Sequence, residues 1–336
     1  MSAQQIRIFV ILIVTLVSLA HEIRAGEWVN GTASSATGSR NYSLWVPSGY
    51  DKRKPAPLVM MLHGCMQKPR DLATTSGMNT VADKHKFLVV YPEQTKEANG
   101  LQCWNWFDTK HQLRDSGEPS ILAAIVQQIG SSHRIDAKRI YVAGISAGAA
   151  MAVVMGVTYP DVFSAIGVSS GLAFKAGTDV QGGLTVMKQG GPDPTQQALL
   201  AFKAMGKNFK GKSARRMPVI VFHGDADPYL NPVNAEQVIV QWATTNDYLD
   251  DGRDNGSVKS TSAKLVQGVV PAGHSFTRYL YNDRSGRLLL EKWIVKGLGH
   301  AWSGSPAAGP FGDPKGPNAS EEMWRFFGET SRASHR

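Results

Sequence analysis

The pentapeptide Gly144-Ile145-Ser146-Ala147-Gly148 sets a serine between two glycines, where the apolar run ending at Ile145 gives way to an alanine-rich stretch. Small residues at such a junction allow close packing of a strand on the helix that follows, or they raise a serine hydroxyl on a sharp strand-to-helix turn. In the second case the chemistry is nucleophilic acyl transfer. A serine hydroxyl is a weak nucleophile at neutral pH, so it needs an imidazole to take its proton and a carboxylate to orient that imidazole. On a strand–turn–helix pedestal the chain order is serine, acid, histidine. After Ser146 the first suitable carboxylates are Asp225 and Asp227, in the loop that leaves the apolar run "MPVIVFHG". Asp225 lies closer to the strand end and serves the turn. Asp227 lies farther out, where it can reach a neighbouring loop, and is the candidate acid. Three histidines follow, His274, His300 and His335. His335 lies in the fraying terminus and His274 just ahead of a strand, whereas His300 follows Gly297 and Gly299 in a loop off the apolar "LLLEKWIVKG" and is the candidate base.

Acyl transfer also requires two N–H donors aimed at the oxygen that becomes negative. The backbone of Ala147 supplies one, and Cys65 in "LHGCMQ" supplies the other, with Gly64 allowing the turn and His63 packing the loop. The only other cysteine is Cys103. In an exported chain the two are expected to pair, closing a loop of about 39 residues. That link brings "QCWNWFD" beside the oxyanion donors, so Trp104, Asn105 and Trp106, together with Trp302 beyond His300, are the candidate substrate-binding residues.

The elements that must position these groups follow from the hydropathy pattern. "APLVMMLHGC", "FLVVYPE", "RIYVAGIS", "FSAIGVSSG" and "MPVIVFHGDAD" are continuous apolar runs of the kind buried on both faces of a parallel sheet, and helix-like stretches separate them. Such alternation predicts an α/β fold with a doubly wound, mostly parallel sheet and helices on both faces. "DLATTSGMNTVADKHK" reads as one helical stretch. Three strands follow, "SAKLVQGVV", "SFTRYLYND" and "LLLEKWIVKGLGH", and "NASEEMWRFFGE" closes the chain as a helix capped by Asn318 or Ser320. Between residues 172 and 212 the alternation lapses into a Gly-, Lys- and Gln-rich segment, a lid or a surface excursion, with a short helix at "QQALLAFKAMG". Residues 1–25 read as a secretory signal, with Arg7, an apolar run and small residues at Ala20 and Ala25. Residues 26–336 then form a single catalytic domain, secreted or periplasmic, with no membrane span after cleavage.

A net charge of +9 raises nucleic acid as a partner, but no dense Lys/Arg tract or binding module accompanies it, and a solvated basic surface is the expectation. Two cysteines without histidine at ligand spacing speak against a structural metal site.

Taken together, "LHGCMQ", "YPEQ", "CWNWF", "GISAGAAM", "FHGDADPYLNPVNAEQ" and "GLGHAWSGS" resemble secreted esterases of the poly(3-hydroxybutyrate) depolymerase type, a family that extends to feruloyl and acetylxylan esterases. The resemblance implies an α/β-hydrolase domain, the triad Ser146, Asp227 and His300, the Cys65–Cys103 pair, and no metal or organic cofactor. It implies a polyester, oligomer or small ester as substrate, with feruloyl or acetyl esters of polysaccharide as the alternative. The linker and polymer-binding domain of the archetype are not evident. A secreted binding protein that keeps a hydrolase fold without turnover is the rival of another class.

Overall fold

The computed structural model describes residues 26–208 and 215–333. The expected signal segment, 1–25, lies outside the described residues. The strands are β1 (Glu27–Ser35), β2 (Gly38–Val46), β3 (Ala56–Leu62), β4 (Leu88–Pro92), β5 (Ile135–Ile145), β6 (Ala165–Ser169), β7 (Val219–Gly224), β8 (Lys264–Val269), β9 (Ser275–Asn282) and β10 (Leu288–Val295). They form one sheet in the order β1-β2-β4-β3-β5-β6-β7-β10-β9-β8. From β4 to β10 every neighbouring pair is parallel, and antiparallel strands extend both ends.

The central strands β3, β4, β6 and β7 are buried at every residue, which is why they read as unbroken apolar runs. Their side chains divide between two cores. In β7, Val219 and Val221 enter one, and Ile220 and Phe222 the other. The first core lies under α3 (Gly117–Ser132), α4 (Ala147–Thr158), α6 (Pro194–Asn208) and α7 (Val233–Asp251). The second lies under α1 (Pro69–Ser76), α2 (Met78–His85) and α8 (Ala319–Ala333). Helices thus cover both faces of a mostly parallel sheet, the α/β-hydrolase arrangement.

Three readings of the sequence need refinement. The stretch after "LHGCMQ" is two helices, α1 and α2, broken at Gly77, whose φ of 63° is incompatible with a continuous helix. Residues 172–208 carry α5 (Val180–Gln189) as well as α6. Ala198, Ala201 and Met205 of α6 are fully buried, so that helix is packed and is not a surface excursion. The cap of α8 is Asn318, which accepts from Glu321 N–H at 3.0 Å; Ser320 instead donates to Ser76 C=O at 2.7 Å.

Candidate active site

Ser146 occupies the turn between β5 and α4 with φ 57° and ψ −124°, a strained conformation that projects its side chain from the sheet edge. Close backbone approach makes the turn possible. A Cβ on Gly148 would lie 2.0 Å from Leu62 O, so any other residue would force α4 off the end of β3. Ser146 N–H donates to Ser169 C=O at 3.0 Å, and its hydroxyl makes no capping bond to α4. Ala147, the first helical residue, has a backbone N–H that no carbonyl of its own helix can accept.

Across the carboxyl edge, Asp227 Oδ2 lies 2.7 Å from His300 Nδ1. Both are buried, with the residues only 9% and 8% exposed. The other carboxylate oxygen, Oδ1, accepts the N–H groups of Tyr229 and Leu230, each at 2.9 Å. Burial alone would push the Asp227 carboxyl up. The hydrogen bond and charge of His300 and the two N–H groups outweigh burial and bring it down to about 2, so the group is an anion at neutral pH.

The histidine loop is fastened to the acid loop at two points. Gly297 N–H donates to Asp225 Oδ1 at 2.6 Å, and Ala226 N–H donates to Leu298 C=O at 3.2 Å. A Cβ on Gly224 would fall 2.0 Å from Leu298 O, so the two loops touch only because that position is glycine. Tyr229 meets the His300 ring edge-on at 5.4 Å and is 56% exposed. The structure joins Asp227 and His300 directly. Ser146 stands on the same sheet edge, and among the described residues no hydrogen bond joins its hydroxyl to His300.

The Cys65 loop flanks the serine. A Cβ on Gly64 would lie 3.4 Å from Ser146 Cβ, which places the neighbouring Cys65 beside it. Cys65 is bonded to Cys103, with Cα atoms 4.2 Å apart. Gly64 N–H donates to Gln67 Oε1 at 2.8 Å, and His63 Nδ1 lies 2.8 Å from Gly64 O. His63 Nε2 accepts Gln94 N–H at 3.1 Å. Both ring nitrogens are therefore committed, and burial drives the His63 pKa down to about 4 against the opposing pull of the Gly64 carbonyl and Asp71. A neutral, fully buried His63 is a loop strut.

Two residues to which the sequence reading gave no role complete this frame, Gln94 at the end of "YPEQ" and Glu118. The Gln94 side-chain amide donates to Cys103 C=O at 2.9 Å and to Glu118. Glu118, at the start of α3, also accepts Asn105 N–H at 2.8 Å and the Asn105 amide at 2.7 Å. Gln94 and Glu118 are almost wholly buried, and buried polar groups persist where every donor and acceptor is matched. The signal was a glutamine two residues past the buried strand "LVVYP", at the carboxyl edge of the sheet.

The aromatic residues fall differently from expectation. Trp302 is fully buried in the core under α8, its indole N–H donating to Ser320 Oγ at 3.1 Å, so it has no surface to offer a substrate. Trp104 is also fully buried, with its ring 5.6 Å from His63, and supports the Cys65 loop from inside. Trp106 is buried beside Phe107. Asn105 is half-buried and spends its amide on Glu118 and Ala98 C=O. The side chains left exposed near the rim are Met66, Leu101 and Tyr229, and Met66 N–H bonds Leu101 C=O at 2.7 Å. Among the described residues, no cluster of three or more His, Cys, Asp or Glu could hold a metal ion.

The chain has known relatives in sequence and in fold. The esterase PHB depolymerase family model matches residues 40–263, a span that includes Ser146 and Asp227 and stops before His300. The chain is 32% identical to poly(3-hydroxyalkanoate) depolymerase C of Paucimonas lemoignei over 79% of its own length, but spans only 59% of that protein. It is 26% identical to feruloyl esterase B of Neurospora crassa over 94% of its own length and 98% of the relative. The fold is shared with the acetyl xylan esterase from Aspergillus awamori, at a TM-score of 0.67 and 21% identity over 91% of this chain and 99% of that one. A family match running through two thirds of the sequence makes this chain a member of the esterase PHB depolymerase family.

Proposed function

We propose that the chain is a serine carboxylic-ester hydrolase acting through an acyl-enzyme on Ser146, with Asp227 and His300 completing the triad. The observation that carries this reading is the 2.7 Å Asp227–His300 bond, made at the sheet edge where Ser146 sits on its strained turn. With Nδ1 held by Asp227, His300 keeps Nε2 for the serine proton. Ser146 Oγ attacks the ester carbonyl carbon and His300 takes its proton. The oxyanion rests on the N–H groups of Cys65 and Ala147. Collapse expels the alcohol, which leaves with the proton from His300. Water, deprotonated by the same imidazole, then releases the acid.

The substrate proposed is a poly(3-hydroxyalkanoate) or its oligomers. Exposed Met66, Leu101 and Tyr229 at the rim suit an apolar polyester chain better than a hydrated polysaccharide. A feruloyl or acetylxylan ester is the second reading, favoured by the near-complete coverage of feruloyl esterase B. Residues 1–25 are proposed as the export signal; among the described residues no helix is long and apolar enough to cross a membrane. Ser146→Ala should lower turnover of p-nitrophenyl butyrate roughly 10⁴-fold or more while leaving the fold intact. Activity surviving that change refutes the nucleophile. Comparison of hydroxybutyrate oligomers with methyl ferulate separates the two substrate readings.

A further inference from the structure

His223 is a histidine inside the strand "VIVFHG", 1% exposed, on the β7 face that carries Val219 and Val221 into an apolar core. An aliphatic residue would fill that position without the cost of burying an imidazole. Its Nε2 lies 3.0 Å from Leu230 O and 3.5 Å from Asp227 Oδ2, and its Nδ1 has no partner. The carbonyl at 3.0 Å requires the proton on Nε2, and a second proton on the buried Nδ1 would find no acceptor, so the ring is neutral. Burial lowers its pKa; the charged groups that bear on it are Asp227, from its own loop, and His300, from the loop after β10.

These contacts close a ring. Leu230 donates its N–H to Asp227 Oδ1 at 2.9 Å and accepts the His223 N–H on its C=O at 3.0 Å, which leaves the same Nε2 3.5 Å from Oδ2 without a hydrogen bond to it. Oδ1 is thus held by two backbone N–H groups and Oδ2 by His300, with the His223 ring, anchored on Leu230 C=O, standing 3.5 Å from Oδ2. We propose that His223 is a positioning residue: it locks the 227–230 turn so that Oδ2 points at His300, and it draws off part of the carboxylate charge that His300 feels. The proposal rests on the triad reading above.

His223→Leu removes the N–H and also the unpartnered nitrogen, and His223→Gln restores a donor. With p-nitrophenyl butyrate, His223→Leu should lose roughly tenfold in kcat at little-changed KM. Charge then concentrates on Oδ2 and favours the imidazolium, so the midpoint of the acidic limb of kcat/KM should move up by roughly half a pH unit. The far-downfield proton signal of the Asp227–His300 bond should shift in parallel, and His223→Gln should recover most of both effects. A His223→Leu enzyme within twofold of the parent, with an unmoved acidic limb and proton signal, overturns the proposal. Should His223→Leu not fold, a His223→Gln enzyme that folds but recovers neither limb nor signal overturns it equally. Asp227→Asn is the control: if it also leaves activity intact, the triad reading fails and not the role of His223 alone.

Discussion

Removing the Cys65–Cys103 link by the double change Cys65→Ala, Cys103→Ala tests stability and catalysis at once. The cysteines are 38 positions apart, and closing a loop of that length removes about 4 kcal/mol of unfolded-state entropy in the chain-entropy model. With about 2.1 cal/mol/K of unfolding entropy per residue over roughly 300 residues, that loss lowers Tm by roughly 6 °C. Catalysis should suffer less than from outright loss of an oxyanion donor, which costs roughly 10²–10³ in kcat. Two other ties remain across the same gap: Met66 N–H to Leu101 C=O at 2.7 Å, and the Gln94 amide to Cys103 C=O at 2.9 Å. The expectation is roughly a tenfold fall in kcat with KM little changed, because the Cys65 N–H is proposed to act on the transition state and is loosened by the change. Scanning calorimetry and initial rates on p-nitrophenyl butyrate read the two effects. A Tm within 1–2 °C of the parent refutes the loop-entropy argument. A lowered Tm with unchanged kcat refutes the coupling of the link to the Cys65 donor.

Other perturbations follow from the same geometry. His63 has a folded pKa of about 4 against an ordinary 6.5, so between those values the unfolded chain binds a proton that the native state does not. Stability should therefore fall by about 3 kcal/mol as pH drops from 6.5 to 4, and His63→Gln should flatten that part of a denaturant-midpoint profile. Trp302→Ala should cost about 3–5 kcal/mol of stability by opening the core under α8, while KM in the folded fraction stays near the parent value; a selective rise in KM would restore Trp302 to the substrate wall. Gln94→Leu keeps the backbone N–H that bonds His63 but strips the side-chain amide from Cys103 C=O and the buried Glu118 carboxylate, and should lower stability by about 1–3 kcal/mol and kcat with it. A fully active, fully stable Gln94→Leu protein would show that the frame around the Cys65 loop is dispensable.

The linear chain by itself determined what depends on local pattern. Strands buried on both faces are apolar at nearly every position, so β3, β4, β6, β7 and the second half of β5 were legible as runs, and their alternation with helices specified the α/β class. The serine between glycines was legible because only small residues allow the backbone contacts at Gly148. The expected order of serine, acid and histidine pointed to Asp227 and His300, two side chains that the fold brings to 2.7 Å. What tertiary structure alone decided are contacts between segments far apart in sequence. An indole looks the same in sequence whether it lines a cleft or fills a core, and only packing under α8 assigned Trp302 to the interior. Asp225 was read as a turn residue, and the fold gives it the histidine loop to hold through Gly297. Gln94 and His223 lie inside the stretches "YPEQ" and "FHGDADPYLNPVNAEQ" and Glu118 in none, yet no role could be read for any of the three, because a buried polar side chain takes its meaning from the distant groups that satisfy it.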